Sequence, residues 1–176
     1  MSTVKWVIDP SHSAIGFKVK HMMFTNVSGK FQKFNSVILA NSEDLENAGF
    51  KFDADIDSVT TGSSDRDKHL LSADFFDAQH YPKIEFTSSS FTKSNRDGYK
   101  LTGNLSLHGV TKEIVLDVEY GGQMQDPWGH IKSGFIITGK INRKDFNLNW
   151  NSTLEAGGVL VGEDVKLEIE VQYIKQ

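Results

Sequence analysis

The chain has 176 residues, 38% of them apolar and 12 of them phenylalanine, with no cysteine and a formal charge of −4. That length predicts a single domain over residues 1–176, with apolar surface enough for a sizeable core. The missing cysteines exclude a disulfide scaffold, a thiol nucleophile, a thiolate zinc site and an iron–sulfur cluster, and the mild acidity without a basic cluster argues against a nucleic-acid partner. No apolar run of the ~18 residues that span a bilayer occurs, so no integral membrane segment is expected. The start, Met1 to Asp9, also lacks the apolar stretch of a signal peptide, which points to the cytoplasm for the chain as written and to the periplasm if a leader was trimmed from it.

In chain order, Ile15, Phe17 and Val19 alternate with Gly16, Lys18 and Lys20, the period-two pattern of a strand with one buried face. Between residues 27 and 39 the phase slips: Val27, Gly29 and Phe31 share one parity and Phe34, Ser36 and Ile38 the other, predicting a β-bulge near Gln32–Lys33. Phe50, Phe52, Ala54 and Ile56 then alternate with Lys51, Asp53, Asp55 and Asp57. The aspartates look calcium-like, but Ser58 replaces the loop glycine and the alternation makes them an exposed strand face. Next the alternation stops. Ser64 with Asp67 has the form of a capping box, so a short helix is predicted over about 64–72, running into Asp74-Phe75-Phe76-Asp77. Strands resume at Leu101–Leu107, Ile114–Tyr120, Phe135–Ile141 and Val165–Tyr173. Turn chemistry marks Asp9-Pro10-Ser11, Asn95-Arg96-Asp97-Gly98, Gly121-Gly122, Asp126-Pro127-Trp128-Gly129 and Gly157-Gly158.

Eight or nine long strands joined by short turns predict an all-β antiparallel sheet that closes into a barrel, with glycines inside strands suiting close backbone approach. A 12-residue strand is ~40 Å long, and at a ~40° tilt it spans ~30 Å of barrel axis. The inward parity is almost wholly aliphatic or phenylalanine, giving Phe17, Val19, Phe31, Phe52, Ile56, Phe86 and Leu105 as a candidate bore lining. Phe75 and Phe76 are either a lid over one end or core. Periodicity alone serves a bore for a chain lipid and a core packed solid equally well.

Several segments are individually uncommon: Asp9-Pro10-Ser11-His12-Ser13, Phe17-Lys18-Val19-Lys20-His21, Asp65-Arg66-Asp67-Lys68-His69-Leu70, Tyr81-Pro82-Lys83-Ile84-Glu85-Phe86, Gly103 to Lys112 and Asn142-Arg143-Lys144-Asp145-Phe146. Together, and in order over nearly the whole chain, they resemble the YceI-like family. The resemblance implies a lipocalin-like barrel of about eight strands, with the short helix near a barrel mouth. It also implies a long isoprenoid or similar fatty-chain amphiphile in the bore, a homodimer, and storage or transport without catalysis. Asp65, His69 and Arg143 match family motifs and are candidates to meet a head group at the mouth, or to tie the helix to the strand ends.

Two other classes remain as alternatives. A small hydrolase or metal-dependent enzyme would use the His12 and His69 region, pairing His12 with Asp9 or His69 with Asp65, although no GxSxG, SxxK, HExxH or phosphate loop is present. No catalytic residue, metal or cofactor is expected on this basis. An interaction module would use sheet edges or the Trp128 and Trp150 loops.

Overall fold

The computed structural model describes residues 3–42, 44–95, 98–152, 154 and 158–176. Strands β1 (Val4–Ile8) and β2 (Ala14–His21) both pair antiparallel with the last strand, β11 (Val161–Lys175): Trp6 opposite Lys175 and Ile8 opposite Tyr173 for β1, Ile15 opposite Ile169 for β2. They are two halves of one bent stave. So are β3 (Thr25–Phe31) and β4 (Phe34–Ala40), which pair with β2 and β1, and β5 (Gly49–Asp55) and β6 (Val59–Thr60), which pair with β4 and β3. Strands β7 (Lys83–Lys93), β8 (Gly98–Leu107), β9 (Val110–Gln125) and β10 (Ile131–Asn142) follow; β7 pairs with β5, each of the next three pairs with its predecessor, and β10 pairs with β11. Counting each bent stave once gives an eight-stranded up-and-down barrel closed by β11.

The bends have local causes. At the first, the Asp9 carboxylate accepts from the Ser11 N–H (3.2 Å) and Pro10 starts a turn of 3-10 helix, Pro10–His12, which needs no N–H at that position. The second and third bends brace each other. Ser58 Oγ accepts from the Gln32 N–H (3.2 Å) and donates to the Asp55 carbonyl (2.7 Å), while the Asp55 N–H donates to the Lys33 carbonyl (2.9 Å). The phase slip at Gln32–Lys33 thus puts both Phe31 and Phe34 inside.

Three local expectations change. Ile56 does not extend β5: the strand ends at Asp55, and Ile56 begins a 3-10 turn (Ile56–Ser58) that buries it in the core away from the bore. The helix α1 (Ser64–Leu71) is capped one residue earlier than expected, by Ser63 Oγ accepting from the Arg66 N–H, because Asp67 is held instead by the Thr61 N–H (2.9 Å) and hydroxyl (2.6 Å). Gly121 and Gly122 make a bulge inside β9, opposite Gly134 and Phe135, with Gly122 at a positive φ that glycine tolerates. The chain turns at Asp126–Gly129, where the Asp126 carboxylate accepts from the Trp128 and His130 N–H groups (2.9 Å each). The Arg96-Asp97 turn and Gly157 lie outside the described residues.

Candidate functional site

At the end of the barrel that carries β1, inward side chains fill the interior. Trp6, Ile38 and Phe91 are fully buried, and Phe50, Phe91, Tyr99, Tyr120, Phe135 and Tyr173 form one aromatic cluster with centroids 4.5–6.4 Å apart. Towards the other end the side chains part around a cavity of about 330 Å³, within the ~300–1,000 Å³ of small-molecule sites. Val165, Leu167, Ile169 and Val171 of β11 supply one wall. From Val165 to Tyr173 that wall is ~27 Å of strand, or ~20 Å of barrel axis at a ~40° tilt.

Glycines open this space. Gly29 faces Phe17 across the β2–β3 pair, and a Cβ there would come within 2.4 Å of the Phe17 ring. Likewise a Cβ on Gly103 would lie 2.6 Å from the Phe86 ring. Both rings lie back over a glycine in the wall, where any other residue would push them into the lumen.

Among the described residues the floor is polar at one point. Ser36 Oγ donates to the Lys51 carbonyl (2.7 Å) and accepts from the Tyr173 hydroxyl (2.7 Å). Burial pushes the Tyr173 phenol up to about 12, against the opposing bond to Ser36. The mouth is polar in a different way. His69, on α1, packs edge-on against Phe75 (5.0 Å) and Trp150 (4.9 Å), and its Nε2 lies 2.9 Å from Asp74 Oδ2. Phe76 packs on Phe31 (6.1 Å). Among the described residues the charged side chains of the lining are Lys20, Arg66 and Arg143, joined by His21 and His69, and no carboxylate lines the cavity.

Arg143 is buried and donates to four backbone carbonyls: Gly162 (2.7 Å), Leu148 (2.6 Å), Trp150 (2.9 Å) and Val161 (3.2 Å). Burial lowers its pKa from the ordinary value, opposed by the charge of Glu163. Those four bonds knit the segment after β10 to the start of β11, and with it the Trp150 side of the mouth.

Of the residues singled out from the sequence, Phe17, Val19, Phe31, Phe52, Phe75, Phe76, Phe86 and Leu105 line the cavity, together with His69 and Arg143. Ile56 and Asp65 do not; Asp65 is exposed on α1, and the carboxylate beside His69 is Asp74. At His12, Asp9 Oδ2 (2.9 Å) and Ser11 Oγ (3.2 Å) meet the same ring nitrogen, Nδ1. A nucleophile–base relay needs its two partners on opposite nitrogens. The Asp9 cluster instead closes the first bend. Among the described residues no group of three His, Cys, Asp or Glu side chains is placed to hold a metal, and no helix is long and apolar enough to cross a membrane. Sequence reasoning missed Ser36 and Arg66, and read Trp150 as part of an interaction loop and not of the mouth. Ser36 was legible, since the phase slip turns it inward, whereas nothing local to Trp150 says that it reaches the mouth.

A family model described as "YceI-like domain" matches residues 6–173. A UPF0312 protein of Staphylococcus aureus (strain MSSA476) is 34% identical over 169 residues, 96% of each chain. Among solved structures, a Campylobacter jejuni YceI protein is 36% identical with a TM-score of 0.77, covering 89% of this chain and 90% of that one. A domain from Saccharophagus degradans, described as polyisoprenoid binding, shares the fold at 16% identity and a TM-score of 0.68, covering 97% and 98%. This chain belongs to the YceI-like family.

Proposed function

We propose that the protein binds a long-chain isoprenoid or a similar amphiphilic lipid in its bore, and that it stores or carries this lipid, as a homodimer, without chemical change. The observation that carries the reading is the cavity itself: a hydrocarbon-lined space open at one end, with polar groups confined to the floor and the mouth. Such a wall offers no hydrogen-bonding pattern to a compact polar metabolite. It offers ~0.8 kcal/mol per buried methylene, so that ten methylenes supply ~8 kcal/mol before ordering costs. The description of the S. degradans domain as polyisoprenoid binding supports the ligand class. The shared Nδ1 at His12 supports a binding role over hydrolysis at that site.

Native mass spectrometry with organic extraction tests this. A co-purifying lipid near one per barrel is the expected result, lost in Leu167→Trp, whose indole fills the bore at a cost to the fold of ~1–3 kcal/mol. A protein of bare sequence mass that also takes up no added polyprenol would overturn the reading.

A further inference from the structure

The turn between β2 and β3 breaks a rule of local chemistry at the rim of the bore. The Phe24 N–H donates to the His21 carbonyl (3.2 Å), and the two central residues, Met22 and Met23, have φ values of 51° and 64°. His21 faces Thr25 across three residues, and within that connection a β-turn with both central residues left-handed is of type I′, where Asn-Gly and similar pairs belong. A methionine Cβ crowds its own carbonyl there, and the side chain has no hydrogen bond to offset it. Little of these side chains is covered by the fold: the Met23 thioether lies over Gly158, yet Met23 is 61% and Phe24 81% exposed, and Met22 and Val159 are also open to water. Sites where local rules fail without internal compensation are where function is expected.

Position and charge identify the occupant. Lys20 and His21, leading into the turn, line the bore, and so does Leu160, whose carbonyl accepts from the Met22 N–H (2.8 Å). The exposed tip therefore continues the apolar lining outward. Among the described residues the lining carries Lys20 and Arg66 and no carboxylate, in a chain of net charge −4. Of the described acids at this end, Glu163 pairs with Lys144 (2.9 Å), Asp164 with Lys140 (3.7 Å) and Asp74 with His69 (2.9 Å), Asp67 is held by Thr61, and Asp65 is exposed on α1. Lys20 and Arg66 form no ion pair among the described residues. Apolar side chains flanked by unpaired cations complement an anionic bilayer surface, with the chains in its interfacial layer and the cations against head groups.

We propose that Met22-Met23-Phe24 is a membrane-docking tip that seats the bore's mouth on an anionic bilayer, so that a lipid passes between bilayer and bore without crossing water. The proposal rests on the lipid-carrier reading above. Its test is flotation of the full chain with phosphatidylcholine vesicles, with and without roughly a third phosphatidylglycerol. The parent protein is expected to float with the anionic vesicles. The double variant Met22→Asn with Met23→Gly, which places the preferred residues in the turn and so keeps the fold, is expected to float ~10-fold less, as is Phe24→Ser. Transfer of a fluorescent polyprenol out of those vesicles falls by a similar factor in the double variant. Equilibrium uptake of the same polyprenol from a cyclodextrin complex stays at the parent level. A parent that ignores both vesicles, or a double variant that floats as well as the parent, overturns the proposal. So does a dimer in light scattering that the double substitution dissolves without any vesicle binding, which would make the tip an interface between copies. Flotation of the parent without polyprenol uptake by either route leaves the docking tip standing and removes the carrier reading.

Discussion

The two ends of this barrel obey the same alternation and do opposite things with it. At the β1 end, large rings fill the interior, and Phe50, Phe91, Phe135 and Tyr173 interlock. At the α1 end, inward positions include Gly29, Gly103 and Gly139, where a Cβ would strike Phe17, Phe86 or Leu116 at 2.4–2.6 Å, and the wall is mostly aliphatic. Period two marks which face is inside. How full the inside becomes depends on the volumes that meet across the barrel, which no single strand contains.

The largest expected contrast is between a ring in the plug and a ring on the bore wall. Phe91→Ala removes a fully buried ring from a packed cluster, at a cost of ~3–5 kcal/mol. Phe17→Ala removes one that is half-buried beside existing empty space, for which ~1 kcal/mol is expected, with weakened lipid retention instead. Guanidinium chloride unfolding compares the two, and equal losses would mean that the α1 end is as solid as the other.

Arg143 sharpens the comparison at the mouth. If its main task is to gather the four carbonyls, Arg143→Ala costs ~3 kcal/mol whether or not a lipid is present, since buried acceptors lose their donor. Arg143→Lys recovers little, because one ammonium cannot reach groups arranged around a planar fork. Normal stability with lost lipid binding would instead make Arg143 a head-group ligand.

Asp9 sits at the seam, where the first stave passes from the filled end to the open one. Burial disfavours its ionised form, but hydrogen bonds from Lys132, Ser11 and His12 and the Lys132 charge outweigh that and hold the carboxyl well below its ordinary 3.8. A depressed native pKa means that its stabilisation is complete above the unfolded-state value and is lost as pH falls below about 4 towards the native value. Asp9→Asn is therefore expected to cost ~1–2 kcal/mol at neutral pH, with the deficit shrinking on acidification below pH 4. A pH-independent deficit would show that packing at the bend, and not the charge, holds the seam.

Much of this architecture is legible in the residues, because one-sided strands announce themselves. The clean alternation from Val165 to Tyr173 and the slip at Gln32–Lys33 are each a single strand's property. Ile56 was misplaced for the complementary reason: its parity is right, but the chain leaves the sheet at Asp55 under a bond from Ser58 in the same bend and one to Lys33, which comes from another stave. Asp65 was misplaced because four-residue spacing on a helix permits a pairing that a better-placed loop acid, Asp74, takes. The Met22-Met23 turn gave no signal at all, since turn chemistry is recognised by the residues it favours and this turn lacks them.

The smallest expected effect concerns the point where the two ends meet. Tyr173 belongs to the aromatic plug by its ring and to the bore's floor by its hydroxyl, which donates to Ser36. Tyr173→Phe keeps the ring and leaves Ser36 bonded to the Lys51 carbonyl, so ~1 kcal/mol or less is expected at neutral pH. The difference from the parent changes sign at high pH. The buried phenol titrates only at about 12, whereas in the unfolded chain it ionises near ~10, so the parent loses stability as pH rises between the two and Tyr173→Phe does not. The same variant reports how a lipid lies in the bore. A hydrocarbon end resting on the floor binds to Tyr173→Phe within ~3-fold of the parent, because the lost hydroxyl was paired inside the protein and not to the ligand. A loss of ~10-fold or more would place a polar group of the ligand on the floor, and with it the head group at the filled end of the barrel and not at the mouth.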